Sequence, residues 1–94
     1  MYRQGDLLIV KDPQIPALRR RVDSGIVELG EATGHAHRLV GGEVWNGGTV
    51  LIVPDTPAEL THDEHDTIIL PEGHYRVLRQ REHLGQDEWG YVYD

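Results

Sequence analysis

Cysteine and phenylalanine are both absent from this sequence of 94 residues. The absence of cysteine excludes disulfides, thiolate zinc ligands and thiol nucleophiles. With two Trp and four Tyr, aromatic residues are few, so the core has to be built mainly from Val, Leu and Ile. A chain of this length buries only about 60–65% of the surface that it exposes when unfolded. Cores this small are often reinforced by a metal or a partner subunit when disulfides are excluded.

Basic residues are scarce as well, because nine Lys and Arg stand against 16 Asp and Glu, for a net charge of −7. An acidic chain repels phosphate backbones, which argues against nucleic acid as a partner. No apolar run approaches the roughly 18 residues that cross a bilayer. The N-terminal residues lack the longer apolar stretch of a signal peptide. We therefore expect a cytoplasmic protein with neither a nucleic-acid partner nor a membrane partner.

Short apolar runs separated by Gly, Pro and Asp dominate the chain. The stretches "GDLLIVK" (5–11) and "TVLIVP" (49–54) are typical of β-strands. Residues 18–22 and 26–30 are predicted to form two strands joined by a turn at 23–25. No window of about eleven residues keeps the 3.6-residue period of an amphipathic helix. The pattern predicts an all-β fold, a barrel or sandwich of about eight short strands forming a single domain over residues 1–94.

Six histidines are present, and four of them occur as two close pairs. His35 and His37 are two residues apart, so both side chains would project from the same face of a strand. His62 and His65 are three apart, a spacing that aligns side chains on a tight turn or a single helical turn over 61–65. The stretch "THDEHD" also supplies carboxylates, which can accept the second ring N–H of a ligating histidine. The two pairs therefore predict a metal site made of His35, His37, His62 and His65.

These predicted ligands leave the identity and the role of the metal open. All-nitrogen ligation with carboxylates nearby suits a divalent transition metal, Zn, Ni, Cu, Mn or Fe. Three histidines and a water would generate a hydroxide nucleophile acting on a small-molecule substrate. Two histidines with Glu43 would instead resemble an oxygenase-type facial triad. His74 follows a turn glycine and is a reserve ligand, whereas His83 is interpreted as a rim residue.

Two other functions fit the same residues. In the first, the protein is a non-enzymatic accessory module whose histidines lie at a subunit interface or respond to pH. An exposed strand edge in so small a fold would then allow two copies to form a homodimer. In the second, no metal is bound and a histidine acts as general base with an Asp or Glu orienting it.

The order of His35-Ala36-His37, Glu43 and then Pro71-Glu72-Gly73 is similar to the two-motif layout of a cupin. Cupins are small β-barrels, and the resemblance implies a metal held by the His-x-His pair, the Glu and a later His. The spacing departs from that family, because five residues lie between His37 and Glu43. Arg76 also stands where the second cupin motif has its histidine.

Three other stretches, "QGDLLIV", "GEATGHAHRL" and "LTHDEHDTIILPEGHYRVLRQREH", resemble a group of small uncharacterised bacterial and phage β-proteins. They cover nearly half of the chain and contain all six histidines in the second and third stretches. The resemblance implies that the histidines act as a set, and it implies no particular substrate.

Overall fold

The structure, a computed structural model, describes residues 1–14, 16–29 and 35–79. These residues form nine strands and one short 3-10 turn at Asn46–Gly48. The strands are β1 (Tyr2–Gln4), β2 (Leu7–Lys11), β3 (Ile26–Leu29), β4 (Ala36–Val40), β5 (Glu43–Trp45), β6 (Val50–Val53), β7 (Ala58–Thr61), β8 (Ile68–Leu70) and β9 (Gly73–Arg79). Within the described ranges, no helix has the length and apolar character that crossing a membrane requires.

The strands make two antiparallel sheets that pack face to face. A five-stranded sheet has the order β1-β2-β9-β6-β5, and a four-stranded sheet has the order β3-β4-β7-β8. The all-β prediction is therefore confirmed. Of the two architectures that the sequence left open, the structure is the sandwich, because each sheet keeps two edge strands and neither closes into a barrel.

The core lies between the sheets and is aliphatic, as the shortage of aromatic residues predicted. Alternate residues of each strand face inward, since successive side chains of a strand point to opposite sides. The largest fully buried side chains include Leu7 and Ile9 of β2 and Leu60 of β7. Tyr75 is the only aromatic residue among the buried core residues of the described chain, with 1% of its surface exposed.

A tight hairpin joins β1 to β2 and was not predicted as such, because Tyr2–Gln4 was not assigned to a strand. Gln4 pairs with Leu7, so only Gly5 and Asp6 make the connection. Gly5 has φ 60°, whereas Asp6 has no positive φ, which is the combination of a type II′ turn. This hairpin brings Gln4 and the turn after it to one end of the sandwich.

The predicted hairpin of residues 18–22 with 26–30 is wrong. Residues 26–29 do form a strand, but β3 pairs with β4 rather than with the preceding segment. The preceding segment makes only an isolated bridge, between Arg21 and Trp45, alongside β5. It therefore follows the edge of the other sheet.

The Asn46 side chain explains why this segment is held away from β3. Its Oδ1 accepts the backbone N–H of Arg19 at 2.7 Å, and its Nδ2 donates to the carbonyl of Ala17 at 2.9 Å. The backbone N–H of Asn46 also donates to the Arg20 carbonyl at 2.7 Å. These bonds satisfy backbone groups that a hairpin with β3 would otherwise have used.

The strands on either side of the second histidine pair agree with the sequence prediction. Residues 58–61 form β7 and residues 68–70 form β8, with a loop between them. Of the two predicted alternatives for 61–65, the tight turn is the one observed, since no helical residue occurs there. The predicted last strand, "EWGYVYD", lies outside the described residues.

Candidate functional site

The four predicted ligands His35, His37, His62 and His65 lie together, and we call them the histidine cluster. Their ring centroids are 4.4 Å apart for His37 and His62, and 4.6 Å apart for His62 and His65. His35 is 5.7 Å from His62, and His65 is 6.2 Å from His37. Two short segments about 25 residues apart in the sequence therefore meet at one place.

The register between β4 and β7 brings the two pairs together. Arg38 lies opposite Thr61 in this antiparallel pairing. Continuing the same register by one position places His37 beside His62. His37 is 5% exposed, His35 and His62 are half-buried, and His65 is exposed, so the cluster runs from the interior to the solvent.

Gln4 holds His37 from the opposite sheet. The Gln4 side chain is 2% exposed, and its Oε1 lies 2.9 Å from Nδ1 of His37. Its Nε2 donates to the carbonyls of Leu60 at 2.9 Å and Asp66 at 2.8 Å. A residue of β1 thus links the five-stranded sheet to both β4 and the loop after β7.

The turn after Gln4 forms a wall of the cluster. A Cβ atom added at Gly5 would lie 2.8 Å from Nε2 of His65 and 3.4 Å from Cε1 of His37, so a larger residue there would displace the His65 ring. The next residue, Asp6, places a carboxylate oxygen 3.8 Å from Nε2 of His37. The wall therefore consists of one close backbone contact and one negative charge.

Burial keeps His37 neutral. Desolvation, followed by the charge of the neighbouring His62, lowers the pKa of His37 from 6.5 to about 4. The Asp6 carboxylate acts in the opposite direction, and His65 and Arg79 add to the lowering. A neutral imidazole is the form that can bind a metal or accept a proton.

Two carboxylates lie near His35, in agreement with the expectation that the stretch "THDEHD" supplies carboxylates beside the histidines. Asp63 has an oxygen 3.8 Å from Nε2 of His35, and Glu64 has one 3.5 Å from Nδ1 of the same ring. Both acids are largely exposed. They add negative charge on the solvent side of the cluster, which favours the approach of a cation.

His62 makes a local hydrogen bond that fixes its ring. Its Nδ1 accepts the backbone N–H of Glu64 at 3.0 Å. A nitrogen that accepts this bond carries no proton, so in the neutral ring the proton is on Nε2. His62 therefore presents an N–H on its Nε2 atom.

The cluster has the spacing of a metal site without the final arrangement of one. A metal about 2.0–2.1 Å from each nitrogen places the centroids of two tetrahedral imidazole ligands about 5 Å apart, which is within the observed range of 4.4 to 6.2 Å. In the part of the chain that the structure describes, however, no three His, Asp or Glu side chains are already oriented to hold an ion. Binding of a metal by the cluster would therefore require these side chains to rearrange.

Two residues considered from the sequence lie elsewhere. Glu43 is on β5, the edge strand opposite β1, and its carboxylate accepts the indole N–H of Trp45 at 2.9 Å. His74 is on β9, where it pairs with Ile52. No contact among the described residues joins either of them to the cluster. His83 lies outside the described residues.

Gln4, Gly5 and Asp6 are the functional residues that the sequence reasoning missed. The sequence prediction places Gly5 and Asp6 at the start of a strand, and Gln4 occurs in it only within the stretch "QGDLLIV". The available signal was the Gly-Asp pair directly before an apolar run, which is typical of a two-residue hairpin connection. That signal predicts the turn but not its contact with the histidines.

Comparison with known proteins gives one match. No curated protein and no solved structure matches the chain. A family model described as "Domain of unknown function (DUF8820)" matches residues 3–80, a range that contains the histidine cluster, Gln4 and, apart from Tyr2 at the start of β1, both sheets. The cupin resemblance gains no support from these comparisons. Because the matched range spans most of the sequence, the chain belongs to the DUF8820 family.

Proposed function

We propose that this protein binds a divalent transition metal through the histidine cluster. The observation that carries the proposal is the convergence of four imidazole rings, two from the start of β4 and the residue before it and two from the β7–β8 loop, with neighbouring centroids 4.4 and 4.6 Å apart. A neutral imidazole offers a lone pair to a cation, and four rings this close can offer their lone pairs to the same ion. The proposal keeps from the cupin resemblance only the ligation of a metal by the His-x-His pair.

Imidazole ligands favour later transition metals over Mg²⁺ and Ca²⁺, which take oxygen ligands. We therefore propose Zn, Ni, Cu or Fe, with Mn the least suited to an all-nitrogen set. Closure of the site by all four rings would make the metal structural. Three rings and one water would let the metal activate that water against a small molecule, and the exposure of His65 provides access for it.

Elemental analysis of protein purified without a His tag tests the proposal. We expect close to one metal per chain, and Zn²⁺ titration by calorimetry after chelation should show one site. The double variant His35→Ala/His37→Ala should lose this site while its circular dichroism stays that of the wild type. His62→Ala/His65→Ala provides a second test from the other segment, which is useful if the first variant does not fold.

His74→Ala is the matched control. Arg79, whose charge acts on His37, lies near one end of β9. His74 lies five residues away along the same strand, about 17 Å from Arg79. It should bind the metal as the wild type does. A folded wild-type protein without metal that also takes up no Zn²⁺ would rule out the proposal. In that case, a change of oligomeric state in the same double variants would favour the alternative of a homodimeric module with histidines at its interface. An unchanged oligomeric state would favour the alternative of a metal-free protein that uses histidine acid–base chemistry.

A further inference from the structure

Gln4 is more deeply buried than any histidine of the cluster, and every polar atom of its side chain is hydrogen bonded. Its Nε2 lies 2.9 Å from the Leu60 carbonyl and 2.8 Å from the Asp66 carbonyl. An amide nitrogen has two N–H donors, and both are used here. The reversed amide would place its oxygen against two carbonyl oxygens, so the orientation of the amide is fixed.

The fixed amide determines the tautomer of His37. Oε1 of Gln4 can only accept, and it faces Nδ1 of His37 at 2.9 Å. Nδ1 must therefore carry the proton, which leaves a lone pair on Nε2. That nitrogen lies on the side of the ring turned toward the Asp6 carboxylate, 3.8 Å away, and away from Gln4.

The same amide also holds both ends of the loop that carries the second histidine pair. Leu60 belongs to β7, just before His62, and Asp66 directly follows His65. The pairing of Leu60 with Ile68 closes this loop, and the Gln4 amide adds one bond to the backbone before His62 and one to the backbone after His65. The three bonds connect β1 to β4, to β7 and to the loop at a single side chain.

We propose that Gln4 is the positioning residue of the histidine cluster: it selects the tautomer that frees Nε2 of His37 and fixes the loop that presents His62 and His65. The inference rests on the proposed function for its purpose, because a free Nε2 is what a ligand histidine needs. The tautomer and the loop position, however, exist in the metal-free protein and are measured there.

The first experiment records the imidazole nitrogens of the metal-free protein by 15N NMR at neutral pH. In the wild type we expect a protonated Nδ1 and an unprotonated Nε2 at His37. In Gln4→Met, which keeps the length of the side chain and removes its polar atoms, His37 should revert to the Nε2–H tautomer that a free imidazole prefers. The resonances of His62 and His65 should also move, because both ends of their loop lose a donor.

Gln4→Glu separates the tautomer from the loop. Its carboxylate still accepts from Nδ1 of His37, so the tautomer should be kept, but it cannot donate to the two carbonyls, so the loop resonances should change as they do in Gln4→Met. Gln14→Met is the matched control, since Gln14 is exposed, and it should leave all four rings as in the wild type.

A wild-type His37 with its proton on Nε2 would overturn the inference, and this measurement needs no variant to fold. Unchanged loop resonances in folded Gln4→Met would overturn it as well. Zn²⁺ titration of the same proteins then tests the proposed function separately: we expect affinity about 10–100-fold lower in Gln4→Met. If neither protein binds Zn²⁺, the proposed function is rejected. The NMR measurements still decide whether Gln4 positions the histidines.

Discussion

Arg79 of β9 forms an ion pair with Glu28 of β3 across the space between the two sheets. Glu28 lies directly opposite His37 in the β3–β4 pairing, so the ion pair is next to the most buried histidine of the cluster. Arg79 also donates to the Val27 carbonyl at 3.1 Å. Together with the bonds of Gln4, this pair makes the histidine end of the sandwich a polar junction between the sheets.

Glu28→Gln should destabilise the protein by about 1–3 kcal/mol, because it leaves the half-buried Arg79 guanidinium without its counter-charge. Chemical denaturation of the metal-free protein measures the change as a lower midpoint. The matched control is Glu59→Gln on the outer face of β7, where the side chain is exposed and the change should be within about 0.5 kcal/mol. Equal effects of the two substitutions would contradict a structural role for the Arg79–Glu28 pair.

The lowered pKa of His37 predicts that the metal-free protein loses stability in mild acid. Burial and the charge of His62 hold this pKa at about 4 in the folded state, against 6.5 without them. Between pH 6.5 and pH 4 the unfolded chain binds a proton at His37 and the folded chain does not. The free energy of unfolding should therefore fall between pH 6.5 and pH 4, by up to about 3 kcal/mol from this residue.

Urea denaturation at several pH values, with a chelator present, measures this slope. The comparison that isolates the contribution of His37 is with His37→Gln. The variant should lose less stability than the wild type over this interval. Parallel curves for the two proteins would show that His37 is not held neutral by the fold.

Gly5→Ala should disturb the cluster as well as the turn. Its φ of 60° is unfavourable for alanine, at about 1–3 kcal/mol, and its new Cβ would meet the His65 ring at 2.8 Å. Gly47→Ala is the control, because Gly47 has φ 69° but nothing within 4 Å of the added Cβ. Both variants should be less stable than the wild type, and only Gly5→Ala should shift the NMR signals of His65 and His37. The same shifts in Gly47→Ala would mean that the close contact at Gly5 is not what positions these rings.

The spacing along the chain predicts that the two histidines of each pair lie on the same side of the backbone, and this prediction depends only on local geometry. Residues two apart in extended backbone share a face, and both His35, directly before β4, and His37, within β4, join the cluster. The meeting of the two pairs depends instead on the pairing of Arg38 with Thr61. That register follows from which residues of β4 and β7 enter the core, and neither strand determines it alone.

The role of Gln4 could not be predicted from the sequence. Its three partners lie 33, 56 and 62 residues away along the chain, and its polar side chain gives no sign of being buried. The hairpin wrongly predicted for 18–22 has a similar cause, because Asn46 captures that segment from a distant turn. In both cases a single side chain forms hydrogen bonds with backbone or ring groups that are distant in the sequence, and local sequence patterns do not predict these partners.

Metal binding should change the backbone at Glu64. In the structure the Glu64 N–H donates to Nδ1 of His62, so the proton of that ring is on Nε2. Ligation through Nε2 moves the proton to Nδ1, which can then no longer accept the Glu64 N–H. On saturation with Zn²⁺ we therefore expect the Glu64 amide signal to move and its hydrogen exchange to become faster, and the effect should be absent from His62→Ala. A Glu64 amide that is unchanged in the Zn²⁺-bound protein would mean that His62 does not bind through Nε2, and would leave His35, His37 and His65 as the candidate ligands, with one position open to water.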